Sequence, residues 1–300
     1  MHRLLPFLEK ISQTLDRLDP LLPPDQSTIN FNDASAFRWV KKKHSSFGTL
    51  HPIKNPAHIN FTQLMGIDRQ IALIRQNTEQ FIAGFSANNV LLTGSRGTGK
   101  SSIVKAVLAN YHSQNLKMVE IDSDDLTDLP ELLSILEDAP HYFIIFCDDL
   151  SFEAGDPAYK PLKAMLDGSL SSPSPNILLY ATSNRRHLLP ESMQDNIGQY
   201  EAKEIHPQEA IEEKISLSER FGLWISFYPY SQKEYLAIVK NWLQEFSSEI
   251  MYTEDVERAA LQFSQMRGSR SGRVAYQFVK DFVGNKQLQK SQQNRSSSDQ

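Results

Sequence analysis

The chain contains one cysteine, Cys147, among its 300 residues. A single cysteine excludes an intrachain disulfide and a cysteine-rich metal site, and its apolar neighbours favour an inert core residue over a nucleophile. The eight histidines are scattered without the spacing of metal ligands, so we expect no metal site beyond a nucleotide-bound ion. The sequence also has no G-x-S-x-G motif, which leaves acyl-transfer chemistry without support.

Long apolar runs are absent as well. The longest ones are of strand length, far short of the roughly 18–20 residues that cross a bilayer, and the first ten residues lack an apolar stretch of signal-peptide length. The net charge of −5 gives no sign of attraction of the whole protein to nucleic acid, although a local basic patch stays possible. With 40% apolar residues a core of normal size can form. We expect a cytoplasmic protein with no membrane partner.

Several sections follow one another along the chain. Residues 1–58 combine helical patterns, near residues 4–18 and 34–43, with proline breaks, and predict a helical N-terminal extension and linker. In residues 59–228, helical patterns alternate with five apolar segments of strand length, at residues 90–93, 117–121, 142–147, 177–181 and 223–227. This alternation predicts an α/β core with a parallel five-stranded sheet sandwiched by helices.

A small helical section is predicted after the core, over residues 229–285. Ser231 and Glu234 form a capping box at its start, ahead of an apolar helical pattern. Two further helical patterns complete the section. Residues 286–300 are polar and rich in glutamine and serine, and this composition predicts a disordered tail.

The most informative stretch is GSRGTGKS at residues 94–101. It fits the phosphate-loop pattern G-x-x-x-x-G-K-[ST] at every fixed position, and it lies between an apolar strand and an amphipathic helix, as that mechanism requires. Its glycines allow successive N–H groups to form an anion nest, Lys100 can reach the β- and γ-phosphates, and the Ser101 hydroxyl can bind Mg²⁺. We therefore predict an ATP site formed by Gly94, Ser95, Arg96, Gly97, Thr98, Gly99, Lys100, Ser101 and Ser102.

Two adjacent acids, Asp148 and Asp149, follow the apolar segment at residues 142–147. Adjacent carboxylates at a strand end repel each other unless a cation lies close, so the pair favours a metal–nucleotide site over a structural turn. A strand-tip acid near a phosphate loop is where a Mg²⁺-binding aspartate belongs. We assign Asp148 to this role, together with Ser101.

These motifs resemble those of the AAA+ ATPases. The phosphate loop resembles Walker A, the strand ending in two acids resembles Walker B, and the strand ending in ATSN at residues 181–184 resembles sensor 1. More closely still, the stretches NNVLLTGSRGTGKSS, FCDDLSFEAGD, YATSNRRHLLPE and EKISLSERFGLWISFYP resemble the bacterial family called domain of unknown function 815. That resemblance covers roughly residues 31–283. It implies an AAA+-like fold with a C-terminal helical lid, and ATP and Mg²⁺ as cofactors.

The resemblance also implies roles for single residues. Asn184 matches the sensor that positions the attacking water, and Arg220, near a helix end before the fifth strand, matches an arginine finger that acts on a neighbouring subunit. A homo-oligomer is implied with it. Arg270 and Arg273 compete for the sensor 2 position, and Arg273 is preferred because it follows Gly272 and can point from a first helical turn.

The second acid departs from the AAA+ pattern, in which a glutamate activates the water. Here that position holds Asp149, whose side chain is shorter by one methylene. Glu153 lies a few residues further on and can substitute. We favour Asp149 as the base.

The sequence as a whole favours an AAA+-type ATPase that acts on a macromolecular partner, protein or nucleic acid. A helicase-loader-like role is the nearest analogue, at the level of the fold only. A small-molecule kinase is the first alternative, because phosphate loops serve both classes, although a kinase often carries an arginine-rich lid inserted in its core. A nucleotide-gated binding module with negligible turnover is the second, and the departure at Asp149 keeps it open.

Overall fold

A computed structural model describes residues 29–41, 47–152, 156–167, 174–184, 217–247 and 249–298, with side chains up to residue 292. In this part of the chain, no helix is both long enough and apolar enough to cross a membrane.

Seven strands form one sheet within the described residues, in the spatial order β2-β1-β4-β5-β6-β3-β7. Along the chain they are β1 (Ala36–Lys41), β2 (Gly48–Pro52), β3 (Val90–Gly94), β4 (Leu116–Glu120), β5 (Tyr142–Cys147), β6 (Ile177–Ser183) and β7 (Leu223–Phe227). Neighbouring strands run parallel, apart from the antiparallel pair β1–β2. The carboxyl ends of β3, β5 and β6 therefore lie side by side at one edge of the sheet.

The described helices flank this sheet and continue past it. They are α1 (Asp68–Ile82), α2 (Lys100–Tyr111), α3 (Leu129–Leu136), α4 (Tyr159–Asp167), α5 (Gln232–Phe246), α6 (Glu254–Met266) and α7 (Gly272–Ser298). Short 3₁₀ turns occur at Phe61–Gln63, His112–Gln114 and Ser123–Asp128.

Alternate residues of the inner strands face opposite sides of the sheet, and each side has its own hydrophobic cluster. In β5, Phe143 and Ile145 pack with leucines of α3 and α4, whereas Ile144 and Phe146 pack with residues of α1 and α2. A third cluster joins α5, α6 and α7. The predicted α/β core, with helices on both faces and a separate C-terminal helical section, is confirmed.

The helix predicted over residues 34–43 is wrong. β1 occupies Ala36–Lys41, where Phe37 and Trp39 are buried and the intervening Arg38 is exposed and paired with Glu120 at 2.7 Å. Burial of every second residue is the pattern of a strand. The sheet thus has two strands more than the five predicted, and the core begins before residue 59. Residues 1–28 lie outside the described part, so the helix near residues 4–18 stays a prediction.

The disordered tail predicted from residue 286 is also corrected, because α7 continues to Ser298. Within this stretch Lys290 pairs with Glu249 at 2.9 Å. No glycine or proline follows Gly284, and glutamine, lysine and arginine are good helix formers. A polar composition leaves a helix without an apolar stripe to face the core, but it does not lower helical propensity. For this reason the polar composition of residues 286–300 was a poor guide to the end of α7.

Candidate nucleotide site

The phosphate loop connects β3 to α2, and glycines permit its path. Gly94 has φ 138°, and a Cβ there would stand 2.1 Å from the carbonyl oxygen of Phe227 on the neighbouring strand β7. Gly97 has φ 77°, and a Cβ there would stand 2.7 Å from Ser271 Oγ. Both positions therefore exclude any larger residue, by backbone conformation and by space.

Lys100 begins α2 and is only 6% exposed. Its ammonium donates to the carbonyl oxygens of Gly94 at 2.6 Å and Ser95 at 2.9 Å, and to Asn184 Oδ1 at 2.9 Å. Burial lowers the pKa of Lys100; Asp148 and Asp149 oppose that shift, and two nearby arginines add to it. All three bonds go to neutral oxygens, which the phosphate oxygens of a nucleotide can replace.

The predicted metal ligands lie in contact. Ser101 Oγ donates to Asp148 Oδ1 at 2.6 Å, and the same carboxylate oxygen accepts a hydrogen bond from Thr182 Oγ1 at 2.5 Å. Mg²⁺ prefers oxygen ligands and keeps several waters, so it needs few protein groups beside the phosphates. One hydroxyl and one carboxylate fit that requirement. Among the described residues no group of three or more His, Cys, Asp or Glu could hold a metal by itself.

Asp149 has the left-handed backbone conformation, with φ 57°, which is uncommon for a residue other than glycine. Its backbone N–H donates to Thr182 Oγ1 at 2.9 Å, and this bond holds the turn against β6. The Asp149 carboxylate accepts a hydrogen bond from Asn184 Nδ2 and lies 3.8 Å from Arg96. The strained turn thus presents the second carboxylate to the phosphate loop.

Asn184 links the two halves of the site. Its Oδ1 accepts from the ammonium of Lys100 and its Nδ2 donates to the carboxylate of Asp149. This amide orientation follows from the chemistry, because an ammonium only donates and a carboxylate only accepts. The structure therefore brings together the phosphate-loop lysine, the amide and the favoured base at the carboxyl edge of the sheet.

A cavity of about 1060 Å³ opens beside these residues. The phosphate loop, with Ser102, and the two acids form one wall, and lid residues including Trp242 form another. Arg273, in the first turn of α7, lines the cavity together with Arg96, whereas Arg270 is exposed and is not among its lining residues. The geometry favours Arg273 over Arg270 for the sensor 2 position.

Arg220 lies at the opposite edge of the sheet. It precedes β7, whose first residue, Leu223, pairs with the first residue of β3, while the phosphate loop follows the last residue of β3. The Arg220 guanidinium forms an ion pair with Asp167 at the end of α4. Arg220 is therefore not brought to the phosphate loop of its own chain. Glu153 lies outside the described residues.

Three features of the site were missing from the sequence analysis. Thr182, one residue from the sensor strand end, holds both Asp148 and Asp149, and a polar residue in an otherwise apolar strand was the available signal. Several residues between 57 and 67, among them His58, Gln63 and Met65, line the cavity, although this stretch carries no motif. Tyr230 lines it too and donates to the Thr98 carbonyl at 2.9 Å; a tyrosine after a strand carries no signal of that contact.

Comparison with known proteins gives a family match and a fold. The family model described as "Protein of unknown function (DUF815)" matches residues 32–286. No curated protein matches the chain. Solved structures that match include the Thermotoga maritima RuvB Holliday junction branch migration motor, at 16% identity and a TM-score of 0.46, over 74% of this chain and 63% of that one.

A further match is the Aeropyrum pernix ORC1 protein in complex with DNA, at 15% identity and a TM-score of 0.53, over 75% of this chain and 61% of that one. The chain thus spans less than two thirds of the length of either protein. At such identities the likeness to ORC1 shows a shared fold and nothing further.

Proposed function

The chain belongs to the family described as Protein of unknown function (DUF815) and has an AAA+-like fold, and on this basis we propose that it binds Mg²⁺-ATP and hydrolyses it to ADP and phosphate. The observation that supports this most is the bridge through Asn184 from Lys100 to Asp149. In this bridge an ammonium, an amide and a carboxylate are in contact, which supports roles for them in binding phosphate, orienting water and accepting a proton.

Each residue has a separate task in this proposal. Lys100 exchanges its carbonyl partners for the β- and γ-phosphates, and Ser101 and Asp148 hold Mg²⁺, which when bound neutralises charge on the phosphate oxygens. Asn184 orients a water molecule, and Asp149 accepts one of its protons as the water oxygen bonds to the γ-phosphorus. The bond between that phosphorus and the β–γ bridging oxygen breaks, and ADP leaves.

We propose that hydrolysis drives action on a macromolecular partner through the lid, α5 to α7. Core and lid residues line one cavity, so a nucleotide between them contacts both. A ligand that contacts the lid better in one position than in another shifts the lid toward that position. One matching structure is that of a protein in complex with DNA, which makes nucleic acid one partner class to test beside protein.

A homo-oligomer is the second part of this proposal. Arg220 lies a strand length away from the phosphate loop of its own chain, so an arginine finger at this position acts only on a neighbouring copy. A cytoplasmic location completes the proposal.

The two alternatives have less support. The described lid residues belong to the C-terminal helical section and not to an insertion in the core, which disfavours a kinase. The argument for a binding module with negligible turnover is that the side chain of Asp149 is shorter than the usual glutamate. The bond from Asn184 to Asp149 speaks against it, because the carboxylate is already held at the phosphate loop.

Equilibrium binding of ATP to Lys100→Ala tests the nucleotide site. We expect affinity to fall by about 100-fold, because charge-assisted hydrogen bonds contribute about 1.5–3 kcal/mol each. Lys117→Ala is a matched control, since the ammonium of Lys117 also donates to a backbone carbonyl, that of Ala34 at 2.9 Å, on a different part of the sheet. Equal affinity in the wild type and Lys100→Ala would contradict the assignment.

A further inference from the structure

Tyr230 lies where the core passes into the lid. It follows β7 and directly precedes Ser231, whose side chain caps α5. Its hydroxyl donates to the carbonyl oxygen of Thr98 in the phosphate loop at 2.9 Å. Burial, followed by the charge of Glu234, raises the pKa of Tyr230 to about 12, so the hydroxyl keeps its proton at any physiological pH.

The side chain of Tyr230 lies beside three glycines from three separate segments, in space that a Cβ at any of them would reach. Cβ atoms added to Gly66 and Gly272 would stand 3.3 Å and 3.9 Å from ring carbons, and one added to Gly99 would stand 3.7 Å from the hydroxyl oxygen. Gly66 belongs to the segment that lines the cavity before α1, Gly99 to the phosphate loop and Gly272 to the start of α7. One side chain therefore lies where all three parts meet, and it bonds directly to the loop.

A second bond joins the lid to the loop. The backbone N–H of Gly272 donates to the carbonyl oxygen of Gly97 at 2.9 Å. Two successive loop carbonyls, those of Gly97 and Thr98, therefore accept hydrogen bonds from the lid side. The donors, Gly272 and Tyr230, lie at the two ends of the stretch that contains α5 and α6.

These two bonds constrain more than the carbonyls. A trans peptide unit is planar, and its C=O and N–H point in opposite directions; described peptide bonds include no cis form. A donor that fixes the carbonyl of Thr98 therefore also fixes the direction of the Gly99 N–H, and the bond to Gly97 does the same for the Thr98 N–H. In a phosphate loop, successive N–H groups form the nest that holds the anion.

We propose that Tyr230 is a positioning residue that ties the lid to the phosphate loop: its hydroxyl orients the nest for phosphate, and it transmits a change in the loop to α5. This rests on the proposed function, in that the loop must bind a nucleotide. The N–H groups of Thr98 and Gly99 then already point toward the phosphates of ATP or ADP when the nucleotide binds. A movement of the lid changes the direction of these two N–H groups.

Tyr230→Phe tests the proposal, because it removes the oxygen and keeps the ring. We expect the affinity for ATP and for ADP to fall by about 2- to 10-fold, the worth of one hydrogen bond. Tyr235→Phe is the matched control: its buried hydroxyl donates within the lid, to the Ala260 carbonyl at 3.1 Å, without touching the loop. Both variants should melt at lower temperature than the wild type, and only Tyr230→Phe should bind nucleotide more weakly.

The outcomes separate this inference from the function beneath it. A wild type that binds no ATP refutes the proposed function. A wild type that binds ATP, with Tyr230→Phe binding equally well or with Tyr235→Phe equally impaired, overturns the role of Tyr230 alone.

Hydrogen exchange in the wild type gives an independent test, without a variant. ATP should slow exchange at the Gly99 amide and at the Gly272 amide together, because the second holds the loop from the lid side. Protection confined to the loop would contradict the coupling.

Discussion

The charged side chains at the carboxyl edge and at the amino edge of the sheet have different kinds of partner. At the carboxyl edge, the Lys100 ammonium is bonded to neutral oxygens and the carboxylate of Asp149 to an amide, with Arg96 3.8 Å away. At the amino edge, Arg220 and Asp167 form a direct ion pair. At the first edge a ligand can replace the neutral partners of Lys100, and the ion pair of Asp149 with Arg96 is long and joins two exposed side chains. At the second edge a ligand of Arg220 must compete with a carboxylate in direct contact. The first arrangement suits a site within one chain, and the second suits a cation released only when a neighbouring molecule docks.

Comparing Arg220→Ala with Asp167→Asn sharpens this contrast most. If Arg220 acts on the ATP of a neighbouring copy, Arg220→Ala should lower turnover by about 10³-fold or more, the usual contribution of an arginine finger, and should remove any rise in turnover per subunit with protein concentration. Asp167→Asn removes the negative charge from the ion pair with Arg220 and should keep turnover. Steady-state phosphate release over a range of protein concentrations measures both.

A different result is expected if the ion pair between Arg220 and Asp167 only stabilises the fold. Its side chains are 24% and 38% exposed, and a partly exposed pair contributes at most about 1 kcal/mol to stability. In that case both variants would lose some stability and keep an unchanged rate, and the finger assignment would be wrong.

Asp148→Asn tests the metal side of the carboxyl edge. Loss of the carboxylate should lower turnover by about 100-fold or more, since metal stabilisation of a phosphoryl transition state is worth several kcal/mol, and higher Mg²⁺ should restore part of it. Asp124→Asn, an exposed acid in the 3₁₀ turn Ser123–Asp128, is the control and should behave as the wild type. Turnover that ignores both Asp148→Asn and the Mg²⁺ concentration would place the metal elsewhere.

Asn184→Ala should have the smallest effect of the three on rate. We expect turnover to fall by about 10- to 100-fold, as for one hydrogen bond to a charged group, with ATP affinity near that of the wild type, because a water-orienting group acts mainly in the transition state. Binding and single-turnover measurements separate the two quantities. Equal losses of affinity and rate would make Asn184 a structural support of Lys100.

The carboxyl edge could be predicted because its chemistry is local in sequence. A phosphate loop needs its glycines and lysine at fixed spacing. Asp148 and Asp149 directly follow a strand in which every residue except the first, Tyr142, is buried. Parallel strands then bring these segments together without further information. The same logic placed Asn184 at the end of β6.

Other features depend on contacts between segments far apart in the chain. The helix prediction for residues 34–43 fails because the six residues of β1 give a weak periodic signal. Their burial depends on β4 and on the 3₁₀ turn that contains Asp128, to which Trp39 donates a hydrogen bond. Tyr230 contacts Thr98 because β7 pairs in parallel with β3, so that β7 ends beside the start of the phosphate loop. Asp167, which forms an ion pair with Arg220, likewise belongs to a helix that no local pattern connects to it.

The proposed hydrolysis of ATP at the carboxyl edge depends on Asp149 as the base. Its most direct test is phosphate release from Mg²⁺-ATP by the wild type and Asp149→Asn, with ATP affinity measured on the same samples and Glu153→Gln as the comparison. We expect phosphate release by the wild type and Glu153→Gln. In Asp149→Asn we expect unaltered affinity for ATP and release lowered by at least about 100-fold. A wild type that binds ATP without releasing phosphate, or an Asp149→Asn variant that releases it at the wild-type rate, would contradict the claim.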